Sequence, residues 1–181
     1  CRIWKMPEKE TIVINTGPLI ALIAGYGDLS LLQKIYKRVL VPFEVCQEIK
    51  AGGTTAFGLK EFVQSDFMEK QSAPLEILQF LKNSLDLGEA SVIQLALNEN
   101  IRTVCIDEAV GRRIARLNDL CLTGSIGVLL RAKCRGLDFS MREAINRMDL
   151  WGQIFIIDKS ATKKKKRIRR GSFDNLSRIK I

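Results

Sequence analysis

One stretch constrains the fold more than any other: TIVINTGPLIALIA, residues Thr11 to Ala24. Its apolar, mostly β-branched start, Ile12–Asn15, predicts a strand that is buried on both faces. The breaker cluster TGP then leads into apolar residues at helical spacing, and a proline suits the first turn of a helix. Asn15 therefore lies where a central strand ends, which is where α/β proteins bind their ligands. We expect the functional site to be built around Asn15.

The rest of the chain alternates short apolar strands with helices. Further strands are predicted over Val39–Val41, Phe67–Lys70, Arg102–Ile106 and Leu120–Leu122. Further helices are predicted over Leu29–Tyr36, Pro42–Lys50, Pro74–Leu81, Glu89–Asn98, Val110–Leu117, Ser125–Cys134 and Met141–Met148, with Leu85–Gly88 as a turn and with Asp28, Thr123 and Ser140 as caps. This alternation predicts parallel βαβ units, with four or five strands covered by helices on both faces.

The composition excludes several classes of site. No histidine occurs in the 181 residues, so Ser-His-Asp catalysis, Cys-His catalysis and histidine zinc sites are excluded. Hydrolysis by this chain would have to use carboxylates, a metal ion or both. The five scattered cysteines, without a C-x-x-C pair or an export signal, predict a reduced, cytoplasmic protein with cysteines in its core. No apolar run approaches the ~20 residues of a membrane span.

The positive charge is confined to the end of the chain. The net charge is +9, and residues 159–181 hold ten lysines and arginines against one acid, so the remainder is neutral. We predict an N-terminal extension over residues 1–10, a domain over 11–150 and a basic tail over 151–181. A block of like charge normally stays solvated, and this one is expected to contact nucleic acid through Lys163, Lys164, Lys165, Lys166 and Arg167.

Four polar side chains fall where predicted strands end or predicted helices begin: Asn15, Glu48, Glu89 and Asp107. In a parallel sheet these positions converge at one edge. Carboxylates that are gathered there repel each other, and a hard cation such as Mg²⁺ removes the repulsion while keeping waters that can attack a phosphodiester. The pattern therefore predicts a metal-dependent hydrolytic site.

Each member of this set also has a structural interpretation. The alternatives are a solvated helix residue for Glu48, a partner of the helix dipole for Glu89, a helix N-cap for Asp107 and a turn residue for Asn15. Two other acids, Glu44 and Asp86, are expected to be structural. The prediction of a site depends on the four residues as a set.

Several motifs resemble the PIN-domain superfamily, in particular its prokaryotic branch of predicted nucleic-acid-binding proteins. They are INTGPLIAL, VPFEVCQEI, LDLGEASVIQLAL and VCIDEAVGRRIARLNDLCLTGSIGVLLRAKCRG, and the resemblance covers Thr11 to Met148. It implies a three-layer α/β/α Rossmann-like sandwich and a ribonuclease that depends on Mg²⁺ or Mn²⁺. It also implies a possible toxin–antitoxin role, with RNA, a cognate antitoxin protein and a second copy of the chain as partners. The family's acidic site maps onto Asn15, Glu48, Glu89 and Asp107, and RNA contacts are expected from Thr16, Arg112 and Arg113.

The sequence departs from the family pattern at two points. The first acid of the family site is normally aspartate, but here it is Asn15, and the resemblance ends at Met148. A metal-dependent ribonuclease and a degenerate module that binds RNA or a protein without cleaving therefore both stay open. A nucleotide-binding Rossmann protein is weakly indicated, because the GYGD motif lacks a third glycine and no Walker A sequence occurs.

A dimer contact is predicted on the last two helices. The apolar residues expected to form it are Leu129, Leu130, Ala132 and Met148.

Overall fold

The computed structural model describes residues 9–52 and 57–152, and within them five parallel strands form one sheet in the order β3-β2-β1-β4-β5. The strands are β1 (Thr11–Ile14), β2 (Arg38–Val41), β3 (Glu69–Lys70), β4 (Thr103–Cys105) and β5 (Cys121–Thr123). The helices are α1 (Thr16–Tyr26), α2 (Ser30–Ile35), α3 (Phe43–Lys50), α4 (Leu59–Gln64), α5 (Gln79–Ser84), α6 (Leu87–Asn98), α7 (Ala109–Leu117), α8 (Ser125–Cys134) and α9 (141–152). Helices lie on both sides of the sheet, so the predicted α/β/α fold is confirmed.

Strand β1 occupies the middle of the sheet. It pairs with β2 on one side and with β4 on the other, with Val13 opposite both Leu40 and Val104. Its apolar residues Ile12–Ile14 are fully buried, as the β-branched run predicts. The ladder continues one residue past the strand, because the N–H of Asn15 donates to the carbonyl of Cys105 at 3.1 Å. Asn15 is therefore held at the carboxyl edge between two neighbouring strands.

The predicted helix Pro74–Leu81 is wrong over its first part. Residues 74–78 are not helical, and α5 begins only at Gln79. Side chains from other helices bind the backbone of this segment: Glu44 Oε1 accepts from the N–H of Leu75 at 2.9 Å, and Gln94 Oε1 accepts from the N–H of Leu78 at 3.0 Å. These tertiary hydrogen bonds hold the segment in a non-helical conformation that local sequence does not reveal.

One of the predicted caps is present: the hydroxyl of Ser140 accepts from the N–H of Glu143. Asp28 accepts from the N–H of Ser30 but is not the N-cap of α2, because Leu29 has that position. Thr123 does not cap α8 either: its N-cap is Gly124, which has no side chain to do so. The N–H of Ser125 donates instead to Asp107, which lies 18 residues earlier in the chain.

The predicted turn at Leu85–Gly88 is shorter than expected. Helix α6 begins at Leu87, because the side chain of Asp86 accepts from the N–H of Glu89 at 2.8 Å and caps the helix there.

The predicted dimer surface is partly wrong. Leu129 and Ala132 are fully buried in the chain's own core, since α8 packs against α1 and α2. Leu130 is exposed, whereas Met148 is partly buried beside Gly25 of α1. Two of the four residues are therefore unavailable to a partner.

The cysteines do not all lie in the core. Cys46 and Cys105 are buried, whereas Cys121 and Cys134 are exposed, and all four are free thiols. Among the described residues, no helix has the length and apolar character that crossing a membrane requires.

The contact between α1 and α9 generates a testable prediction. A Cβ on Gly25 would lie 2.8 Å from Cγ of Met148 and 3.1 Å from the carbonyl oxygen of Ala144. Met148 can turn aside, but the carbonyl belongs to the helix backbone, and such overpacking costs about 1–3 kcal/mol. We expect Gly25→Ala to lower the free energy of unfolding in urea by about 1 kcal/mol after the helix-propensity gain of alanine.

Gly17→Ala is the matched control, because a Cβ at Gly17 of the same helix meets nothing within 4 Å. It should leave stability unchanged or raise it. Equal stability of the two variants would show that α9 does not pack against α1 as described.

Candidate active site

The side chain of Asn15 is buried at the carboxyl edge of the sheet. Only 6% of the residue is exposed, and its Oδ1 has no hydrogen-bond partner within the described part of the chain. Asn15 is the N-cap residue of α1, yet its side chain makes no capping hydrogen bond. The side chain of Asn15 therefore does not act as a turn residue that bonds its own backbone. A buried amide oxygen without a donor is a position where a ligand or cation can bind.

Glu48 is brought to Asn15 by a contact between two helices. The hydroxyl of Thr16 at the start of α1 donates to Glu48 Oε2 of α3 at 2.7 Å. Both Glu48 Oε2 and Asn15 Oδ1 lie against Gly88, where a Cβ would be 2.8 Å from the first oxygen and 3.2 Å from the second. The absence of a side chain at Gly88 is what allows these two oxygens to approach the same point.

Glu89 is the most deeply buried acid of the site. It is 3% exposed, its Oε1 is unpartnered among the residues that the structure describes, and the carboxylate lies directly beneath Gly111 of α7. Burial raises the pKa of Glu89 to about 7, and three neighbouring carboxylates act in the same direction, namely Asp86, Glu108 and Glu48. This carboxyl therefore exchanges its proton near neutral pH, as functional carboxyls often do.

Glu89 belongs to a group of three acids whose oxygens lie within 4.8 Å of one another: Asp86, Glu89 and Glu108. Asp86 caps α6 and Glu108 is the N-cap residue of α7, so the starts of two helices carry the group. The expectation that Asp86 is structural agrees with its role as the cap of α6. It does not account for the position of Asp86 in a group of acids with Glu89. The sequence signal for this proximity was the spacing of three residues between Asp86 and Glu89. For Glu108, the only sequence signal was that it follows Asp107 directly.

Asp107 lies outside this group of three acids. Its Oδ1 accepts from the N–H of Ser125 at 2.9 Å and thereby satisfies the start of α8. It is not the N-cap of the helix that follows it, because Glu108 has that position. The structure thus brings Asn15, Glu48 and Glu89 together around the start of α6, whereas Asp107 has a hydrogen bond to α8.

The basic residues expected to contact RNA differ in their surroundings. Arg112 Nη1 donates to the carbonyls of Ile106 at 2.9 Å and Thr123 at 3.3 Å, so its guanidinium is anchored at the ends of β4 and β5. Arg113 is exposed. The predicted contacts Lys163, Lys164, Lys165, Lys166 and Arg167 lie outside the described residues.

A family model described as a PIN domain matches residues 11–169. The match reaches past Met148, so the expectation that the family resemblance ends there is wrong. No curated protein matches the chain.

The raised pKa of Glu89 generates a prediction about stability and pH. The folded chain holds a proton on Glu89 up to pH about 7, whereas the unfolded chain releases it near 4.5. Folding therefore becomes less favourable as pH rises through this window, by up to about 3 kcal/mol. In EDTA, we expect Glu89→Gln to remove most of this loss between pH 5 and pH 8, measured by urea unfolding.

Glu143→Gln is the control, because Glu143 is an exposed acid of α9. It should keep the wild-type pH dependence. A Glu89→Gln curve parallel to that of the wild type would contradict the burial of a charged carboxylate here.

Proposed function

The chain belongs to the PIN-domain family, and we propose that it is a metal-dependent endoribonuclease. The observation that carries the proposal is a pair of buried acceptor oxygens, Asn15 Oδ1 and Glu89 Oε1, that lack partners among the described residues. Both lie beside further carboxylates. Buried acceptors without donors are costly, and a divalent cation with its hydration waters would complete them. The donor set therefore fits Mg²⁺ or Mn²⁺, which prefer oxygen ligands.

The residues proposed to hold the ion are Asn15, Glu48, Glu89 and Asp107. The geometry adds Asp86 and Glu108 as candidates, because both lie in the same group as Glu89. When bound, the ion supplies a Lewis acid that stabilises charge on a phosphodiester and a water of lowered pKa.

The remaining steps depend on the chain's own side chains. The hydroxyl of Thr16 orients Glu48. The N–H of Glu89 donates a hydrogen bond to the carboxylate of Asp86 and holds it in place. This carboxylate therefore loses little conformational freedom when a ligand binds. Without an ion, Glu89 holds its proton up to pH about 7, so binding of the ion would release a proton from this carboxyl near neutral pH. Asn15 cannot accept one, since an amide is not basic in this range.

A second candidate function is a module that binds RNA or a partner protein without cleaving. The observation that favours it is Asn15 itself, because the family's first acid is normally aspartate and an amide brings no charge to a cation. RNA, as the substrate of a nuclease or as the ligand of a binding module, belongs to the proposal, as do a cognate antitoxin protein and a homodimer.

Replacement of Asn15 separates the two functions. We expect the wild type to cleave a mixed RNA pool slowly or not at all, with Mn²⁺ more effective than Mg²⁺ and EDTA abolishing any cleavage. Asn15→Asp restores one negative charge with almost no change in shape. It should raise the cleavage rate by about a hundredfold and increase the rise in melting temperature that Mn²⁺ produces by mass action.

Asn146→Asp makes the same charge change on the exposed part of α9 and should alter neither quantity. Asp107→Asn should reduce the Mn²⁺-dependent rise in melting temperature. If Asn15→Asp folds, binds metal no better and does not cleave, the non-cleaving module is correct. Fast cleavage by the wild type, unchanged in Asn15→Asp, would mean that Asn15 is not a ligand.

A further inference from the structure

The ladder between β4 and β5 stops at the carboxyl edge of the sheet. The last residues in register are Cys105 and Thr123, and the N–H of Ile106 still donates to the carbonyl of Thr123 at 3.2 Å. At this parallel register, the next bond would run from the N–H of Ser125 to the carbonyl of Ile106. The N–H of Ser125 donates to a side chain instead. Both backbone groups of that missing bond therefore depend on side chains for their partners.

Two side chains replace the missing backbone bond. Asp107 Oδ1 accepts from the N–H of Ser125 at 2.9 Å, and Arg112 Nη1 donates to the carbonyl of Ile106 at 2.9 Å. The same Nη1 also donates to the carbonyl of Thr123 at 3.3 Å. One guanidinium nitrogen thus connects the ends of both strands, and the residue that follows the first of these carbonyls is Asp107.

Gly124 leaves the space in which these two side chains meet. A Cβ at Gly124 would lie 2.5 Å from Asp107 Oδ1 and 3.1 Å from Arg112 Nη1. The backbone there is extended, with φ −137° and ψ 179°, so the conformation itself does not require glycine. An alanine at this position would therefore displace the carboxylate and the guanidinium rather than strain the backbone.

We propose that Arg112 is a positioning residue that holds the end of β4 and thereby fixes the carboxylate of Asp107 at the candidate active site. This role rests on the proposed function, in which Asp107 is one of the residues that hold the ion. Without the guanidinium, the carbonyl of the buried Ile106 loses its donor, which favours movement of the chain that carries Asp107. The alternative is a direct contact of Arg112 with RNA, and the two bonds of Nη1 to backbone carbonyls oppose it.

Hydrogen exchange at the amide of Ser125 reports directly on the bond to Asp107. In NMR spectra of the full chain in EDTA, Arg112→Met should raise the exchange rate of this N–H by about tenfold or more. The amide of Asn15 is the internal reference, because it donates to Cys105 on the other side of β4. Its exchange rate should stay at the wild-type value, since the loosening is confined to the end of β4.

Two further variants separate the position of the guanidinium from its charge. Arg116→Met removes a charge from the exposed part of the same helix and should leave the exchange rate of Ser125 unchanged. Gly124→Ala keeps every charge and should raise that rate, and it gives the second measurement if Arg112→Met fails to fold. An unchanged rate at Ser125 in a folded Arg112→Met variant, or equal acceleration at Ser125 and Asn15, would overturn the proposal.

Metal binding separates the positioning role from the nuclease. Arg112→Met should reduce the rise in melting temperature that Mn²⁺ produces, as Asp107→Asn does, although loss of a positive charge alone would strengthen cation binding. The double variant should show no further reduction, because Arg112 acts through Asp107. Additive reductions would overturn the proposal. A wild type whose melting is indifferent to Mn²⁺, with faster exchange at Ser125 in Arg112→Met, would support the hold on Asp107 and remove the nuclease.

RNA affinity at several salt concentrations tests the alternative role of Arg112. With a single-stranded RNA in EDTA, Arg112→Met should keep the wild-type dependence of affinity on salt. A slope smaller by about 0.7 would identify Arg112 as a phosphate contact and overturn the proposal.

Discussion

The hydrogen bonds of β1 to both of its neighbours are the interaction on which the rest of the structure depends. Because β1 is central and parallel to β2 and β4, residues that follow these three strands emerge at one edge. The bond from Asn15 N–H to Cys105 then extends the ladder by one residue and fixes where the first polar side chain begins. The starts of α3 and α7 are carried to the same edge by short connections after β2 and β4, whereas α6 follows helix α5. Proximity of the polar side chains follows from strand order, without any need for them to attract one another.

Bringing these polar side chains together costs free energy in the absence of a ligand. Glu89 is buried beside other acids, and Asn15 Oδ1 is buried without a donor in the described chain. The apolar core around β1, with Ile12, Val13 and Ile14 fully buried, stabilises the fold against this local loss. Local hydrogen bonds also limit it, since the Thr16 hydroxyl and the N–H of Glu89 each satisfy one neighbouring carboxylate. The site thus concentrates unsatisfied acceptors where a rigid frame can hold them, a common arrangement at functional sites.

The sequence was sufficient for those features that depend on local pattern. The apolar run of β1, the breaker cluster after it and the alternation of strands and helices predict the parallel sheet and its two helical layers. Polar residues at strand ends and helix starts likewise predict one site built from Asn15, Glu48, Glu89 and Asp107, of which Asn15 and Glu48 lie against the same Gly88. Tertiary hydrogen bonds were not predictable in this way. Glu44 and Gln94 hold residues 74–78 out of a helix from distant positions, and Asp107 binds the start of α8 across 18 residues.

The amide at Asn15 links the stability of the site to its proposed chemistry. Glu89 already carries a pKa of about 7 because burial and three neighbouring acids oppose its charge. A carboxylate at position 15 would lie against the same Gly88 as Glu48 and add a further negative charge to this cluster. The amide therefore lowers the repulsion that the metal-free fold must withstand, by roughly 1–4 kcal/mol for a close pair of charges. The same missing charge weakens attraction for a divalent cation. Under the proposed function, the amide would favour a fold that is stable without an ion over tight metal binding. The charge at this position, rather than its shape, would then separate a nuclease from a binding module.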